Sequence, residues 1–320
     1  LPGARPDGTV MSLRALVAAL GGALYQSGLR ANVPAPGHSS NDRSVSLLLD
    51  GDRLVIHGFG AADWREVRDH LRGLGLIDAE GRLAGGGLSL VRSSSARPDA
   101  SARIEAAVRL WEATIPIADG DLCARHLLMR GIETPPDRLA DLRRHPAAPV
   151  SVFAPASPTR PALVAAIRDP GGRLCAVELV YLEGHGRCAR LRLPRKTVGA
   201  VPGGAAVRLS PAGAVMVVGE GVMTTLSASA RFSLPGWALL SAGNLCRWTS
   251  PERVRRVIVA ADRGPAGEAA AVRLCRRLRA QGVAASMRQP PTPFGDWNDV
   301  AVGRGKAEEE GRGGAPARRG

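Results

Sequence analysis

Between residues 214 and 281 a short apolar run, a turn and a helical stretch follow one another twice. First come AVMVV, Gly219-Glu220-Gly221 and TTLSASA; then VRRVIVAA, Asp262 and a helical segment over 267–281. A buried strand feeding a helix, repeated, is the pattern of βαβ units, which pack as a parallel, doubly wound sheet with helices on its faces. Ligands of such sheets lie beyond the carboxyl ends of the strands, where Glu220 and Asp262 both fall.

The rest of the 320 residues is more irregular. Hydrophobic residues make up 45%, enough for a sizeable core, but aromatics are only 3%, so that core is built from Ala, Val and Leu and base-stacking platforms are scarce. The triple Gly and triple Ser within 78–100 read as a linker. The five prolines of 145–161 read as an extended connection that ends a helical stretch. The expected organisation is therefore a small α+β domain over 11–77, the linker, and a helical plus antiparallel-sheet connecting domain over 101–205. The α/β domain over 206–302 and a disordered tail over 303–320 complete it.

Within the first domain, helices are expected over 12–26 and 63–74, the latter capped by Asp63, with strands over 45–49 and 53–57 around Asp50-Gly51-Asp52. In the connecting domain, helices are expected over 102–114 and 122–130 and strands over 162–168, 174–182 and 189–193.

The formal charge of +14 points to polyanionic partners, because each basic side chain placed at a phosphate releases a condensed counterion. A GC-rich coding bias, visible in only two Lys among 43 basic residues, offers a blander source. Five scattered cysteines argue against a disulfide framework and for a reducing, cytoplasmic setting. No apolar run is long enough for a spanning helix, so no membrane partner is expected. The chain begins at Leu1, and Met11 is the expected natural start.

A carboxylate at the end of a buried parallel strand is costly without a cation or donor. Glu220 and Asp262, completed by Asp296 and Asp299 of Gly295-Asp296-Trp297-Asn298-Asp299, therefore suggest a shared Mg²⁺ site. The competing reading makes Asp262 a helix cap and Asp296 and Asn298 turn residues. Cys123-x2-His126 and His185-x2-Cys188 carry zinc-type ligands, but nothing in the sequence brings the pairs together, and no zinc is expected.

The interval 184–219 contains no acidic residue and six basic ones: Arg187, Arg190, Arg192, Arg195, Lys196 and Arg208. As a strand, Arg190-Leu191-Arg192-Leu193 would put both arginines on one face. This is the first candidate for a phosphate-binding groove; the helix carrying Arg273, Arg276 and Arg277 is the second.

The three acidic motifs, in this order over 208–302, resemble the Toprim domain of plasmid- and phage-type primase-like proteins. The resemblance implies a catalytic Glu220 acting as acid or base, metal held by Asp262 with Asp296 and Asp299, and an Mg²⁺ cofactor. Two departures stand out. The family's Asp-x-Asp reads Asp262-Arg263-Gly264 here, and Met223 stands where relatives carry a second Glu. Residues Ala35-Pro36-Gly37-His38, Asp42-Arg43-Ser44 and His57-Gly58-Phe59-Gly60-Ala61 are similar to the zinc module that opens primases, but Ala35, Gly58 and Ala61 replace cysteines. That leaves a metal-free descendant, with Arg43 and Arg53 placed to meet nucleic acid. LWEATIPI and ARHLLMRGI resemble the connecting region of these proteins.

The expected function is that of a DNA-binding, primase-like protein of a plasmid or other mobile element, making RNA primers on single-stranded DNA from nucleotides with Mg²⁺. The alternatives are a catalytically lapsed nucleic-acid-binding protein and a Toprim nuclease. No Gly-x4-Gly-Lys-[Ser/Thr] motif is present, so a separate helicase or replication protein is the expected partner.

Overall fold

The computed structural model describes residues 12–25, 28–39, 42–50, 53–58, 63–84, 98–154, 156–191 and 193–303, in two compact units, Leu1–Ala96 and Arg97–Gly320. The expected tail lies almost wholly outside the described residues, as does Arg192.

The first unit is an antiparallel meander of β1 (Ala23–Tyr25), β2 (Arg30–Val33), β3 (Val45–Asp50) and β4 (Arg53–Gly58), with α1 (Leu13–Leu20) and α2 (Trp64–Gly73). Alternation puts Val45 and Leu47 of β3 and Ala31 and Val33 of β2 into one core with Leu16 of α1 and Leu71 of α2. Ser12 caps α1 and Asp63 caps α2, each accepting a backbone N–H of the first turn. The helix expected over 12–26 is shorter: the chain leaves it at Gly21 (φ 70°), and 23–25 pair with 30–32 instead. The expected linker also begins folded, since Ile77 bridges Leu83 and the Ala84 N–H donates to the Leu76 carbonyl.

In the second unit α3 (Ala100–Glu112) and α4 (Leu122–Met129) pack on opposite faces of an antiparallel sheet. Its strands, in spatial order, are β5 (Leu142–Pro149), β6 (Thr159–Arg168), β7 (Leu174–Tyr181) and β8 (Arg195–Gly199). Two sequence expectations are corrected here. The proline-rich stretch is not an extended connection after a helix but the hairpin β5–β6. Pro146 falls in a bulge between His145 and Ala148, and Pro149 ends an edge strand, two places where a missing N–H costs no ladder bond. Of the strand expected over 189–193, the described residues 189–191 and 193 form none; the Leu191 N–H turns back to the Ala189 carbonyl, and the strand that pairs with β7 is 195–199.

The parallel sheet follows. β10 (Val215–Gly219), β11 (Gly236–Ala238), β12 (Arg256–Ala260) and β13 (Ala284–Arg288) run parallel in the order β13-β12-β10-β11, with the two-residue β9 (Val207–Arg208) antiparallel beside β11. Leu274 and Leu278 of α7 (Pro265–Ala280) cover one face with the short α6 (Ala242–Leu245). On the other face lie α5 (Val222–Phe232) and the last helix, α8 (297–303), through Ala228, Trp297 and Val300. The two sheets share a core: Val222, Met223 and Leu226 of α5 pack with Leu127 of α4 and Leu163 and Ala165 of β6. No helix among the described residues is long and apolar enough to cross a membrane.

A buried carboxylate joins the sheets. Asp141, 3% exposed, accepts from Arg168 Nε and Nη2 of β6 at 2.8 Å each and from the Arg208 backbone N–H of β9 at 3.0 Å. Asp141→Ala, which strands the Arg168 guanidinium, is expected to cost about 3 kcal/mol of unfolding free energy in urea titrations. Arg173→Ala, whose side chain is 87% exposed beside Asp169, is expected to change it by less than about 0.5 kcal/mol.

Candidate functional site

β10 and β12 are neighbours, so their carboxyl ends bring Glu220 and Asp262 to the same edge of the sheet. The Glu220 carboxylate accepts from the Ala242 N–H at the start of α6, while burial pushes its pKa up. Asp262 follows β12 by two residues. Burial first, then the negative charges of Asp296, Glu220 and Asp299, push its pKa from 3.8 to about 6, against a hydrogen bond from Thr224 that lowers it. Its Oδ1 is buried without a hydrogen-bond partner. Asp262 thus feels the charge of the other three predicted acidic residues.

Asp296 and Asp299 also cap the turn before α8, as the turn reading expects. Asp296 Oδ1 accepts from the Asp299 N–H at 2.8 Å, and Asp299 Oδ2 accepts from the N–H groups of Gly295 and Asp296 at 3.2 and 3.3 Å. Among the described residues no group of three or more His, Cys, Asp and Glu stands close enough to hold a metal by itself. One or two carboxylates, with the orphaned Asp262 Oδ1 among their donors, are what this edge could offer a hard cation that keeps several waters.

The departures from the Asp-x-Asp pattern have local structures. Arg263 Nη2 donates to the Pro290 carbonyl at 2.7 Å, and its N–H donates to the Gly295 carbonyl at 2.8 Å, tying the Asp262 turn to the third motif. Gly264 has φ 137°, a region disfavoured for side chains, although the space around its missing Cβ is open. Its N–H donates to Glu268 Oε1 at 3.1 Å.

The basic candidates separate into two groups. Arg187 and Arg190 are exposed, and Arg195 is 58% exposed with Nε 3.9 Å from Glu178 Oε1. Lys196 instead donates to the Val150 carbonyl and lies over the Tyr181 ring, and burial lowers its pKa. Arg208 donates to the Asp169 and Pro170 carbonyls at 2.9 and 3.1 Å and stacks 4.7 Å from the Trp237 ring centroid. On α7, Arg273 and Arg276 are exposed while Arg277 donates to the Trp248 carbonyl. Of the strand expected to carry an arginine-lined face, Arg192 lies outside the described residues, and Arg190, Leu191 and Leu193 are not in the sheet.

The exposed segment around Arg187 borders the acidic domain. His126 of α4 sits 2.9 Å through Nδ1 from the Gly186 carbonyl; a carbonyl only accepts, so Nδ1 carries the hydrogen, and burial lowers the pKa. A cavity of about 50 Å³ is lined by His126, Arg130, Glu178, Cys188 and Arg195 together with Met223, in the first turn of the helix after Glu220. His126 and Cys188 of the two Cys/His pairs do share this cavity. Cys123 does not join them, its thiol pushed up to about 12 by burial, and His185 pairs with Glu183 at 3.2 Å. Sequence reasoning missed Glu178, whose burial raises its pKa, and the buried Asn298; neither has a motif signal of its own.

In the first unit, the loop that resembles a zinc knuckle is closed by a carboxylate. Asp42 accepts from the Ala35 N–H and from the Ser44 N–H and hydroxyl, at 3.0, 3.1 and 2.5 Å, and pairs with His38 at 3.1 Å. The Ser44 hydroxyl is the first cause that holds its pKa at about 2. Ala61, one of the positions compared with a cysteine, lies outside the described residues.

Strand order and acidic turns agree with the family comparison: residues 215–307 match the Toprim domain family, and residues 101–209 match a family described as Domain of unknown function (DUF7146). The C-terminal part of the chain has the Toprim fold. Among solved structures, the chain is similar to the primase fragment of the bacteriophage T7 primase-helicase protein at 16% identity and TM-score 0.37, over 59% of this chain and 69% of that one. It is similar to the Aquifex aeolicus primase (zinc-binding and RNA polymerase domains) at 14% and 0.42, over 94% and 82%. For the DnaG primase catalytic domain bound to ssDNA the figures are 15% and 0.44, over 66% and 81%. No curated protein sequence matches the chain.

Asp262 binds its proton more tightly folded than unfolded, so its contribution to stability is complete below pH ~4 and is lost as pH rises through about 6. Asp262→Asn is therefore expected to raise the melting temperature at pH 8 without divalent cations, by ~2–4 °C per kcal/mol of relieved repulsion, and to leave it nearly unchanged at pH 4. Calorimetry at the two pH values checks this; added Mg²⁺ is expected to raise the melting temperature of the parent protein and not of the variant.

Proposed function

We propose that this is a DNA-binding, primase-like Toprim protein that joins ribonucleotides on a single-stranded DNA template when its acidic site carries Mg²⁺. The observation that carries the reading is the convergence of Glu220, Asp262, Asp296 and Asp299 on one edge of the parallel sheet, with Asp262 Oδ1 buried and unpartnered. Bound Mg²⁺ would neutralise phosphate oxygens at the reacting centre. Asp262, with Asp296 or Asp299, would hold it, and the raised pKa of Glu220 suits it to take a proton from an attacking hydroxyl. Residues 1–96 carry ten Arg and nine Asp or Glu, so nearly all of the +14 charge belongs to residues 97–320, the part with the acidic motifs. That excess supports capture of a nucleic-acid backbone beside the site, through Arg187, Arg190 and Arg195 first and Arg273 and Arg276 second.

A catalytically lapsed binding protein is the second reading, favoured by Gly264, which supplies no carboxylate and holds a backbone angle that an Asp would adopt only under strain. Template-dependent incorporation of labelled ribonucleotides with Mg²⁺ or Mn²⁺ decides between them. Incorporation lost in Glu220→Gln supports the first reading; single-strand binding without incorporation supports the second. Metal-dependent nicking of the template would instead make the protein a nuclease. Priming would also need a separate helicase or replication protein to expose the template.

Replacing Arg187, Arg190 and Arg195 together by Ala is expected to weaken single-stranded DNA binding and flatten the slope of log affinity against log salt by about 2, at ~0.7 per lost phosphate contact. Lys196→Ala and Arg208→Ala are expected to lower the melting temperature and leave that slope unchanged. Fluorescence anisotropy across a salt series separates the two outcomes.

A further inference from the structure

Asn298 is 1% exposed, and no step of the proposed chemistry uses it. Its Nδ2 donates to the Arg130 carbonyl, 168 positions away in the chain, at 2.6 Å and to Ser227 Oγ at 3.0 Å, which uses both hydrogens of the amide. The residue before it is anchored as well. Trp297 Nε1 donates to the Arg288 carbonyl at the end of β13 at 3.3 Å, and its ring meets Phe232 of α5 edge-on at 5.1 Å. Just beyond, Gly131 (φ 66°) lets α8 close in: a Cβ there would stand 3.0 Å from the Ala301 carbonyl carbon.

Asp296 and Asp299, by contrast, form hydrogen bonds only within 295–299 among the described residues. Nothing in those bonds aims the pair at Asp262. The Arg263 N–H holds the Gly295 carbonyl at one end of the segment, and Trp297 and Asn298, which lie between the two aspartates in sequence, fasten it to β13, to α5 and to the C-terminal end of α4. Arg130 stands at that end, and its side chain lines the cavity shared with Arg195 and Glu178. One residue thus holds the acidic segment by its backbone while its side chain lines the cavity that Arg195 also lines.

We propose that Asn298 is a positioning residue: its amide clasps the Arg130 carbonyl and Ser227 so that the 295–299 segment is held beside Asp262 and one of its two aspartates can join Asp262 in holding a divalent cation. The assignment rests on the reading of those carboxylates as a cation site. Removing a group that orients metal ligands commonly weakens metal affinity 10- to 100-fold.

The test is a Mn²⁺ titration of the full chain, followed by electron paramagnetic resonance of free Mn²⁺, with thermal unfolding recorded without metal. Asn298→Ala is expected to raise the Mn²⁺ dissociation constant by about 10-fold at temperatures where the variant is folded. Asn244, a second buried asparagine, bonds only to structural carbonyls and the Gly204 N–H; Asn244→Ser is expected to lower the melting temperature and keep the Mn²⁺ affinity. Asn298→Asp sharpens the distinction. A carboxylate added near the site would tighten Mn²⁺ by charge alone, whereas a positioning role requires that it weaken binding, because it cannot donate to the Arg130 carbonyl. If both Asn298 variants unfold, Ser227→Ala, which leaves the Arg130 bond intact, must shift the constant in the same direction by less. Unchanged affinity in Asn298→Ala, tighter binding in Asn298→Asp, or an unchanged constant in Ser227→Ala where it is needed would overturn the assignment. Absence of Mn²⁺ binding in the parent protein would overturn the cation-site reading itself and the assignment with it.

Discussion

Two sheets of different construction become one unit around the buried carboxylate of Asp141. An antiparallel sheet and a parallel one have no ladder in common beyond an isolated bridge between Arg168 and Ala206. Asp141 supplies the missing tie by taking two hydrogen bonds from Arg168 and one from the backbone of β9, and apolar packing of α4 and α5 closes the rest. A charge so placed is costly unless every lone pair is answered, which makes the junction specific as well as strong. Everything about the candidate site depends on it, because the basic segment hangs from one sheet and the acidic turns from the other.

The electrostatics of the second unit are those of opposites kept apart at short range. Four carboxylates gather at one edge of the parallel sheet, and repulsion among them, added to burial, is what raises Asp262 to about 6. Several arginines in the same unit are not available as a neutralising shell. Arg208, Arg263 and Arg277 are bonded to backbone carbonyls, where they hold turns and helix ends in place. None of these three is free to neutralise the acidic edge, while Arg187, Arg190 and Arg195 stay exposed. In the first unit the Asp42 carboxylate closes a loop through hydrogen bonds from Ala35 and Ser44 and its pairing with His38.

Much of this was legible in the residues. The apolar runs before Glu220 and Asp262 are strands, the helices after them form, and the carboxylates fall at the strand ends, because a buried parallel strand announces itself by a continuous apolar run between turns. The failures are equally physical. The prolines of 145–161 read as a connection because a missing N–H forbids a central strand, and only the sheet order shows that β5 is an edge. The alternation Arg190-Leu191-Arg192-Leu193 reads as a strand, but register with β7 is claimed by 195–199. β9 and β11 are too short for any periodicity to reveal.

Sequence alone determined the class of fold and that acidic residues follow its strands, since both are local: strand, turn and cap depend on neighbours a few positions away. Which arginines are free and which are bonded inside, and what holds Asp296 and Asp299 toward Asp262, was decided only by tertiary structure. Lys196 and Arg190 look alike in one dimension; a distant carbonyl at Val150 separates them. Asn298 looks like a turn residue until the Arg130 carbonyl arrives from another element to meet it. Hydrogen bonds between remote residues leave no periodic trace in the chain, because their partners are selected by packing and not by spacing.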